Sequence, residues 1–320
     1  MRFLSGRDLH DLLPPYALID AVEQGLRDFA DQQVTVPARQ HTQRGEVTLL
    51  TMPAIGRYAF GVKVVSVVPS NATRGLPVIH GLMTLCDGVS GLPLAVLDAA
   101  ALTAQRTGAV SALGLKYTTP AEVDSIGIVG TGVQGTWQAI FACAVRPVRT
   151  IYFVARNEDK ARRFVDLVSR QVPSVRTSRC GDVHELLSST QVVIAATTSN
   201  KPVLPDDRHR LEGKHFTSVG SFKPTMQELP DSVYALAQKV VVDSDAAQEE
   251  VGDLIGPLSS GVISPENILP IAELVVGKRW IDTAGTTVFK SVGLALYDLY
   301  TAQAFCAEAQ RLGRGTLLDI

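Results

Sequence analysis

The sequence predicts an α/β protein of two domains, one built on a doubly wound parallel sheet and the other on a separate sheet of the α+β type. The chain has 320 residues, a length that corresponds to about two domains of ordinary size. Beyond Asp124, short apolar strands alternate with helices, a pattern typical of βαβ crossovers and parallel pairing. Between Val47 and about Leu97, short β-branched runs are separated by proline and glycine, which favours antiparallel pairing.

The first domain is predicted to open with an amphipathic helix. After a pair of prolines, apolar side chains recur at helical spacing, at Leu18, Val22, Leu26 and Phe29. The β-branched runs that follow predict strands over residues 62–68, 78–85 and 92–97. A stretch rich in alanine and leucine over residues 99–116 predicts a helix that leads into the second domain.

The second domain is predicted to alternate strands and helices. The strands cover residues 126–129, 150–154, 192–196 and 240–243, and the helices cover residues 134–145 and 158–170. A last helix over residues 291–311 has an apolar stripe and is expected to return to the first domain. The predicted domains are therefore residues 1–119 with 292–320, and residues 120–291.

The composition excludes several classes of function. Thirty basic and 32 acidic residues give a net charge of −2, which provides no basic field for nucleic acid. The N-terminus lacks the apolar stretch of a secretory signal, and no segment reaches the roughly 18 apolar residues of a membrane span. The four cysteines are widely spaced, which argues against a disulfide framework and a metal site. We therefore expect a cytoplasmic protein that binds small molecules but no nucleic acid, membrane or metal.

A glycine-rich turn follows the strand over residues 126–129. Its glycines Gly130, Gly132 and Gly135 form the pattern G-x-G-x-x-G between a strand and a helix. The first permits a tight turn, the second lets backbone N–H groups approach a pyrophosphate, and the third lets helix and strand pack closely. The motif predicts a Rossmann-type dinucleotide-binding domain, and the alternative is a purely structural βα turn.

The end of the next strand indicates which dinucleotide is bound. An acidic residue that binds the ribose hydroxyls of NADH is usual there, but this chain has Arg156 followed by Asn157. A guanidinium group suits a 2′-phosphate, so NADPH is favoured, with NADH as the alternative. Arg156 could also stack on adenine, which would serve either cofactor.

Three cations of the first domain lie in apolar sequence: Arg39, Lys63 and Arg106. A lysine in a β-branched strand is costly to bury without an anionic partner. Lys63 is therefore either a ligand-binding group or a charge that guards an exposed sheet edge against pairing with another chain. Taken alone, Arg106 reads as an exposed helix residue. His80, on an apolar strand, reads as a core or rim histidine.

Several short motifs occur in order along most of the chain, from about Pro37 to Ala302. They are Gly61-Val62-Lys63, Pro69-Ser70-Asn71, Gly75-Leu76-Pro77, Gly91-Leu92-Pro93-Leu94-Ala95, Leu102-Thr103-x-x-Arg106-Thr107 and Gly130-Thr131-Gly132-x-Gln134. Together they resemble the ornithine cyclodeaminase and mu-crystallin family. The resemblance implies a nucleotide domain flanked by a sheet domain that is built from both chain ends, binds substrate and forms a homodimer.

The resemblance also implies roles for individual residues. Arg39, Lys63 and Arg106 match positions that bind the substrate carboxylate, and Glu250 matches an acidic position near the substrate, although it could simply be solvated on a helix surface. The implied cofactor-binding residues are Arg106, Thr107, Gly130, Thr131, Gly132, Val133, Gln134, Gly135, Arg156, Asn157, Thr197, Thr198, Val219 and Ser291.

One departure from the cyclodeaminase pattern bears on the reaction. After the fifth strand, cyclodeaminases have an aspartate that interacts with the substrate amine. This chain has Phe222 at that position. A phenyl ring neither accepts a proton nor pairs with an ammonium group, so the cyclodeaminase reaction is disfavoured. The segment is similar to the branch of the family that contains ketimine reductases, in which Phe222 could pack against the ring of a cyclic imine.

The leading functional hypothesis is therefore the NAD(P)H-dependent reduction of a cyclic ketimine to an L-amino acid. The substrate would be Δ1-pyrroline-2-carboxylate or Δ1-piperideine-2-carboxylate and the product proline or pipecolate, with Lys63 or a bound water supplying the proton. One alternative is an amino-acid dehydrogenase of the alanine dehydrogenase or iminosuccinate reductase type, which acts on an open-chain imine. The others are an ornithine cyclodeaminase and a non-catalytic protein that binds a small ligand together with NADPH.

Overall fold

The computed structural model describes residues 1–319. The strands are β1 (Arg2–Leu4), β2 (Gln40–Arg44), β3 (Val47–Ile55), β4 (Ala59–Val67), β5 (Ile79–Asp87), β6 (Pro93–Asp98), β7 (Ser125–Val129), β8 (Thr150–Val154), β9 (Arg176–Arg179), β10 (Val192–Ala195), β11 (His215–Ser218), β12 (Val240–Val242), β13 (Ile268–Pro270), β14 (Thr287–Lys290) and β15 (Thr316–Leu317).

The α-helices are α1 (Gly6–His10), α2 (Pro15–Ala30), α3 (Ala99–Thr118), α4 (Val133–Val145), α5 (Glu158–Gln171), α6 (Val183–Ser189), α7 (Arg208–Leu211), α8 (Asp231–Leu236), α9 (Ala247–Glu250), α10 (Gly252–Ser259), α11 (Ile271–Val275) and α12 (Ala295–Leu312). Two short 3-10 helices cover Pro69–Arg74 and Pro265–Asn267. None of the helices within residues 1–319 is both long enough and apolar enough to cross a membrane.

The α/β fold class is confirmed, and the chain divides into two compact units. The first consists of Met1–Arg106 with Leu294–Ile320, and the second of Thr107–Gly293. Helix α3 contributes residues to both units.

The first unit contains a seven-stranded sheet in the order β15-β1-β6-β5-β4-β3-β2. Strands β2 to β6 pair antiparallel, as the proline and glycine spacing predicts. Strand β1 adds to β6 in parallel, and β15 pairs with β1. The register places Lys63 between Met52 and Met83, so these three side chains share one face of the sheet.

The two faces of this sheet differ in their cover. The face that holds Met52, Lys63 and Met83 is buried, and α12, which also packs against α2, contacts it along β3, β4 and β5. Apolar side chains also occupy the opposite face, which we call the outer face, and several of them are exposed. The apolar residues of the outer face include Val47, Leu49, Ile55, Val64 and Leu82.

The second unit contains an eight-stranded parallel sheet in the order β13-β12-β14-β11-β10-β7-β8-β9. The chain begins at β7, extends the sheet on one side through β8 and β9, and continues on the other side from β10. The strand order therefore reverses between β7 and β10. Ligands of doubly wound sheets bind at the carboxyl ends of the strands at such a switch point.

The predicted start of the last helix, at residue 291, is wrong. Helix α12 begins at Ala295, because residues 291–293 follow β14 and bind a carboxylate instead. The Ser291 hydroxyl and the Gly293 N–H donate to Asp243 Oδ2 at 2.6 and 2.7 Å. Gly293 has a φ of 79°, a left-handed conformation that ends the strand and is incompatible with a helix.

Candidate active site

A cleft of about 650 Å³ lies at the carboxyl ends of β7, β8 and β10. Residues 129–132, 154–157 and 196–199, which end or follow these three strands, line most of it. The cleft is therefore at the switch point of the parallel sheet, where a dinucleotide is expected.

The glycine-rich turn in this cleft is shaped for a phosphate ligand. Gly130 has a φ of 103°, which L side chains rarely adopt. A Cβ atom on Gly135 would lie 1.8 Å from the Gly130 carbonyl oxygen, so α4 packs this closely only because residue 135 is glycine. Gly132 is the N-cap of α4 and provides no side-chain cap, which leaves the first N–H groups of the helix available to an anion. These features fit the pyrophosphate of a dinucleotide.

Half of the predicted cofactor-binding residues line the cleft: Gly130, Thr131, Gly132, Arg156, Asn157, Thr197 and Thr198. The others are outside its lining: Arg106, Thr107, Val133, Gln134, Gly135, Val219 and Ser291. Gly135 acts beneath the turn through its missing side chain, and the Ser291 hydroxyl is engaged by Asp243. Direct cofactor contacts of both groups stay predictions.

The charges around the end of β8 are mixed. Arg156 and Lys160 both line the cleft there and are exposed. Glu158, the first acid after the strand, lies 2.6 Å from Arg179, which compensates its charge. Asp182 also lines the cleft, where its carboxylate caps α6 by accepting the Glu185 N–H at 2.8 Å. The two cleft-lining basic side chains are therefore available to a phosphate group.

A buried carboxylate that the sequence analysis missed fixes the other side of the cleft. Glu228 Oε1 accepts hydrogen bonds from the N–H and hydroxyl groups of Thr197 at 2.6 and 2.9 Å. Its Oε2 accepts from the Gly220 N–H at 2.7 Å and from the Ser218 hydroxyl at 2.8 Å. Glu228 thus joins the loops after β10 and β11. Nothing local in the sequence distinguishes it from an exposed glutamate, because its partners come from other strands.

Lys63, the predicted catalytic residue, is buried in the first unit. Its Nζ atom lies 2.6 Å from Asp298 Oδ2 and 3.5 Å from Thr103 Oγ1. Strand β4 is an interior strand, with β3 on one side and β5 on the other. The alternative that Lys63 guards an exposed sheet edge is therefore wrong.

Arg106 and Arg39 complete a cluster of cations around Lys63. Arg106 is buried on α3, and its Nε atom lies 3.1 Å from Asp298 Oδ1. The expectation of an exposed helix residue is wrong because Asp298 compensates the buried guanidinium charge. Arg39 precedes β2, is half-buried and acts electrostatically on Lys63. The structure thus brings the three predicted substrate-binding cations together.

The surroundings of Lys63 tune its acidity. Burial disfavours the charged ammonium form and lowers the pKa of Lys63 from 10.5 to about 8. The carboxylate of Asp298 opposes this effect, whereas the positive charges of Arg106 and Arg39 add to it. A lysine with a pKa near 8 can donate and regain a proton close to neutral pH.

The anion of this cluster, Asp298, is a second residue that the sequence analysis missed. The three cations were expected to share the substrate carboxylate, but a carboxylate of the chain itself already lies between two of them. Asp298 is fully buried in the first turn of α12, within the segment Leu296-Tyr297-Asp298-Leu299. An acid in an otherwise apolar stripe is a usable signal, since a buried charge requires a partner.

The other predicted substrate residues lie in the second unit. Phe222 follows β11, is 47% exposed and has the Lys223 ammonium group 5.5 Å from its ring centroid. Glu250 ends α9 and is half-buried. The Gly252 N–H donates to the Lys223 carbonyl oxygen at 3.1 Å, so the segments that carry Phe222 and Glu250 are neighbours. Substrate contacts of both residues stay predictions.

In the described part of the chain, neither His80 nor a metal-binding group of side chains belongs to these clusters. His80 is exposed on the outer face of the first sheet and is not a core histidine. Within residues 1–319, no three or more His, Cys, Asp or Glu side chains are grouped so that they could hold a metal ion.

The chain is similar to known proteins over its whole length. The model of the ornithine cyclodeaminase/mu-crystallin family matches residues 4–311. The Δ1-pyrroline-2-carboxylate reductase of Bacillus cereus is 33% identical, with 100% of both chains covered.

Two solved structures are similar to the chain over its whole length. The Δ1-pyrroline-2-carboxylate reductase of Thermococcus litoralis, in complex with NADH and L-proline, superposes with a TM-score of 0.92 at 31% identity, covering 99% of this chain and 100% of that one. An archaeal alanine dehydrogenase dimer with bound NAD superposes with a TM-score of 0.89 at 26% identity, covering 100% of this chain and 99% of the other.

Proposed function

The chain belongs to the ornithine cyclodeaminase/mu-crystallin family, and from that premise we propose that it is an NAD(P)H-dependent reductase of cyclic ketimines. Its substrate is Δ1-pyrroline-2-carboxylate or the six-membered homologue Δ1-piperideine-2-carboxylate, and its product is L-proline or pipecolate. The observation that carries the proposal is the buried Lys63 ammonium group beside Arg106, in a chain that is 31% identical to a reductase solved with L-proline.

Each side chain of the cation cluster has a separate task in this reaction. Arg106, assisted by Arg39, binds the substrate carboxylate through charge-assisted hydrogen bonds. Lys63 donates a proton to the imine nitrogen, which makes the imine carbon more electrophilic. A bound nicotinamide supplies the hydride that the imine carbon accepts. Holding the substrate in one orientation converts the reaction into an effectively unimolecular step.

NADPH is the proposed cofactor, with NADH as a slower substitute. Arg156 and Lys160 line the cleft where the adenosine ribose is expected, and the nearby Glu158 is paired with Arg179. A guanidinium group binds a 2′-phosphate in a bidentate manner, which NADH cannot exploit.

The test of the proposed function follows NADPH oxidation by absorbance with Δ1-pyrroline-2-carboxylate and no ammonia. We expect rapid turnover, and we expect kcat/KM to be about tenfold or more higher with NADPH than with NADH, the worth of one charge-assisted hydrogen bond. Arg156→Ala should remove most of that difference. If every cyclic imine fails to oxidise either cofactor, the proposal is wrong.

An amino-acid dehydrogenase that acts on an open-chain imine is the second candidate. The likeness to an alanine dehydrogenase favours it. The same assay distinguishes the two, because pyruvate as substrate requires added ammonia and a cyclic imine does not. Turnover with pyruvate and ammonia alone would support the dehydrogenase.

The proposed assembly is a homodimer formed through the outer face of the first sheet. On that face Val47, Leu49 and Leu82 are 43%, 39% and 50% exposed, and exposed apolar side chains grouped on one sheet face are typical of an interface. A second copy is the proposed occupant because the similar alanine dehydrogenase is a dimer. The proposed location is the cytoplasm, where the four free cysteines would stay reduced.

The dimer predicts the effect of a charge on the outer face. Light scattering after size exclusion should give twice the chain mass of 34.3 kDa for the wild type, and about the chain mass for Leu82→Lys. Val89→Lys is the matched control, since Val89 is 92% exposed in the turn between β5 and β6. A monomeric wild type, or an unchanged mass for Leu82→Lys, would contradict this interface.

A further inference from the structure

Asp298 connects three elements of the first unit. It lies on α12 and places one carboxylate oxygen 2.6 Å from Lys63 Nζ, on β4, and the other 3.1 Å from Arg106 Nε, on α3. The side chain of Asp298 is 0% exposed, and that of Lys63 is 3% exposed. The carboxylate therefore has no contact with bulk water and lies between the two cations.

The charged groups around Lys63 indicate what the Asp298 carboxylate does. Of the charged groups that act on Lys63 from the elements around it, Arg106 and Arg39 are positive and Asp298 is negative. The Thr103 hydroxyl on α3 is a neutral neighbour. Burial and the two arginines all favour a neutral amine, whereas Asp298 opposes the loss of the proton.

We propose that Asp298 is a positioning residue that keeps Lys63 protonated and holds its Nζ atom in place for proton transfer to the substrate. The inference rests on the proposed reductase function. A lysine ammonium group has three N–H groups, and its Nζ atom lies 2.6 Å from Asp298 Oδ2 and 3.5 Å from Thr103 Oγ1, so Asp298 and Thr103 fix where Nζ lies while an N–H group is directed at the imine nitrogen.

The proton-transfer step balances without any further reactant. The N–H bond of Lys63 breaks and an N–H bond forms on the imine nitrogen, while the hydride from the nicotinamide forms the new C–H bond. The imine becomes a secondary amine and the cofactor is oxidised. Lys63, left as a neutral amine beside Asp298, regains its proton from water before the next turnover.

The test compares the pH dependence of kcat in the wild type and in Asp298→Asn, which keeps the shape of the side chain and removes its charge. Wild-type activity should fall as the pH rises through about 8, because only the protonated lysine donates. In Asp298→Asn the fall should occur at a pH lower by about one unit or more, because an opposing charge within hydrogen-bonding distance is lost. Affinity for NADPH should be unchanged. Asp20→Asn, on the exposed side of α2, is the control and should behave as the wild type.

A purely structural role for Asp298 gives a different result. It would lower the thermal stability of Asp298→Asn and reduce kcat by the same factor at every pH, so the alkaline limb of the pH profile of kcat would not move. This result would overturn the proposal. If Asp298→Asn does not fold, Asp298→Glu provides the test. It keeps the charge but displaces Nζ, so we expect a wild-type alkaline limb with a kcat reduced about tenfold or more; an unchanged kcat would contradict the proposal.

A measurement that needs no activity separates this inference from the proposed function. The Lys63 ammonium group is titrated by NMR in protein labelled with 13C at lysine Cε, and Lys63→Arg identifies its signal. The Lys63 midpoint should be lower in Asp298→Asn than in the wild type, whether or not the protein reduces an imine. If the Lys63 midpoint shifts in a protein without reductase activity, the proposed reduction is refuted, but the effect of Asp298 on Lys63 is retained. If the midpoint does not shift, the effect of Asp298 on Lys63 is refuted.

Discussion

Lys63→Met is expected to reduce kcat by about 100- to 10,000-fold, the usual contribution of a positioned general acid. The affinity for NADPH should change little, because Lys63 lies in the first unit and the dinucleotide cleft is formed by the second. Turnover is measured by NADPH oxidation at saturating imine, and NADPH affinity by fluorescence titration.

The controls separate chemistry from folding. Met lacks a charge, so Asp298 loses one of its two cationic partners and a lower thermal stability is expected. Lys63→Arg keeps the positive charge but cannot release a proton near neutral pH, so it should restore stability without restoring kcat. Lys278→Met, which removes an exposed lysine, should behave as the wild type. If Lys63→Met lowers turnover and NADPH affinity by equal factors, Lys63 does not take part in the proton-transfer step.

The sequence predicts the nucleotide-binding unit well because its signals are local. The turn after β7 needs glycine at Gly130 for its positive φ and at Gly135 for the close approach to the Gly130 carbonyl oxygen. Both requirements lie within a few residues of the strand, so a single short motif identifies the turn. The regular alternation of strands and helices then predicts a parallel sheet.

Short strands and long-range pairs are the parts that the sequence leaves undetermined. Strands β1 and β15 contain three and two residues, too few for a period to be visible, and each depends on a neighbouring edge, since β1 adds to β6 and β15 adds to β1. The start predicted for the last helix is too early because Asp243, which binds the Ser291 hydroxyl, is distant in sequence.

The candidate site shows the same limit. The three cations Arg39, Lys63 and Arg106 are recognisable as costly charges in apolar sequence, and the structure gathers them. Their own counter-ion, Asp298, is contributed by the last helix, more than 180 residues after Arg106. A pairing over that distance depends on which residues of α12 face Lys63 and Arg106, and the apolar stripe that predicts the return of the helix does not determine this.

Replacement of Arg106 is expected to weaken recognition of the substrate carboxylate specifically. Because Nε of Arg106 faces Asp298, its terminal nitrogens are the groups proposed to bind the carboxylate in a bidentate manner. A charge-assisted hydrogen bond contributes about 1.5–3 kcal/mol, so Arg106→Lys should lower kcat/KM for Δ1-pyrroline-2-carboxylate by about 10- to 150-fold. Most of the loss should appear as a higher KM.

A substrate without the carboxylate isolates this interaction. Wild-type enzyme should prefer Δ1-pyrroline-2-carboxylate strongly over Δ1-pyrroline, and Arg106→Lys should reduce that preference by the same factor by which it lowers kcat/KM for the carboxylate substrate. Arg57→Met, which removes an exposed arginine of the same unit, should leave the preference unchanged. If Arg106→Lys lowers kcat/KM equally for both substrates, Arg106 acts through Asp298 and Lys63 and does not bind the carboxylate. The two outcomes thus decide whether Arg106 and Lys63 both act on the substrate, or whether Arg106 only positions Lys63.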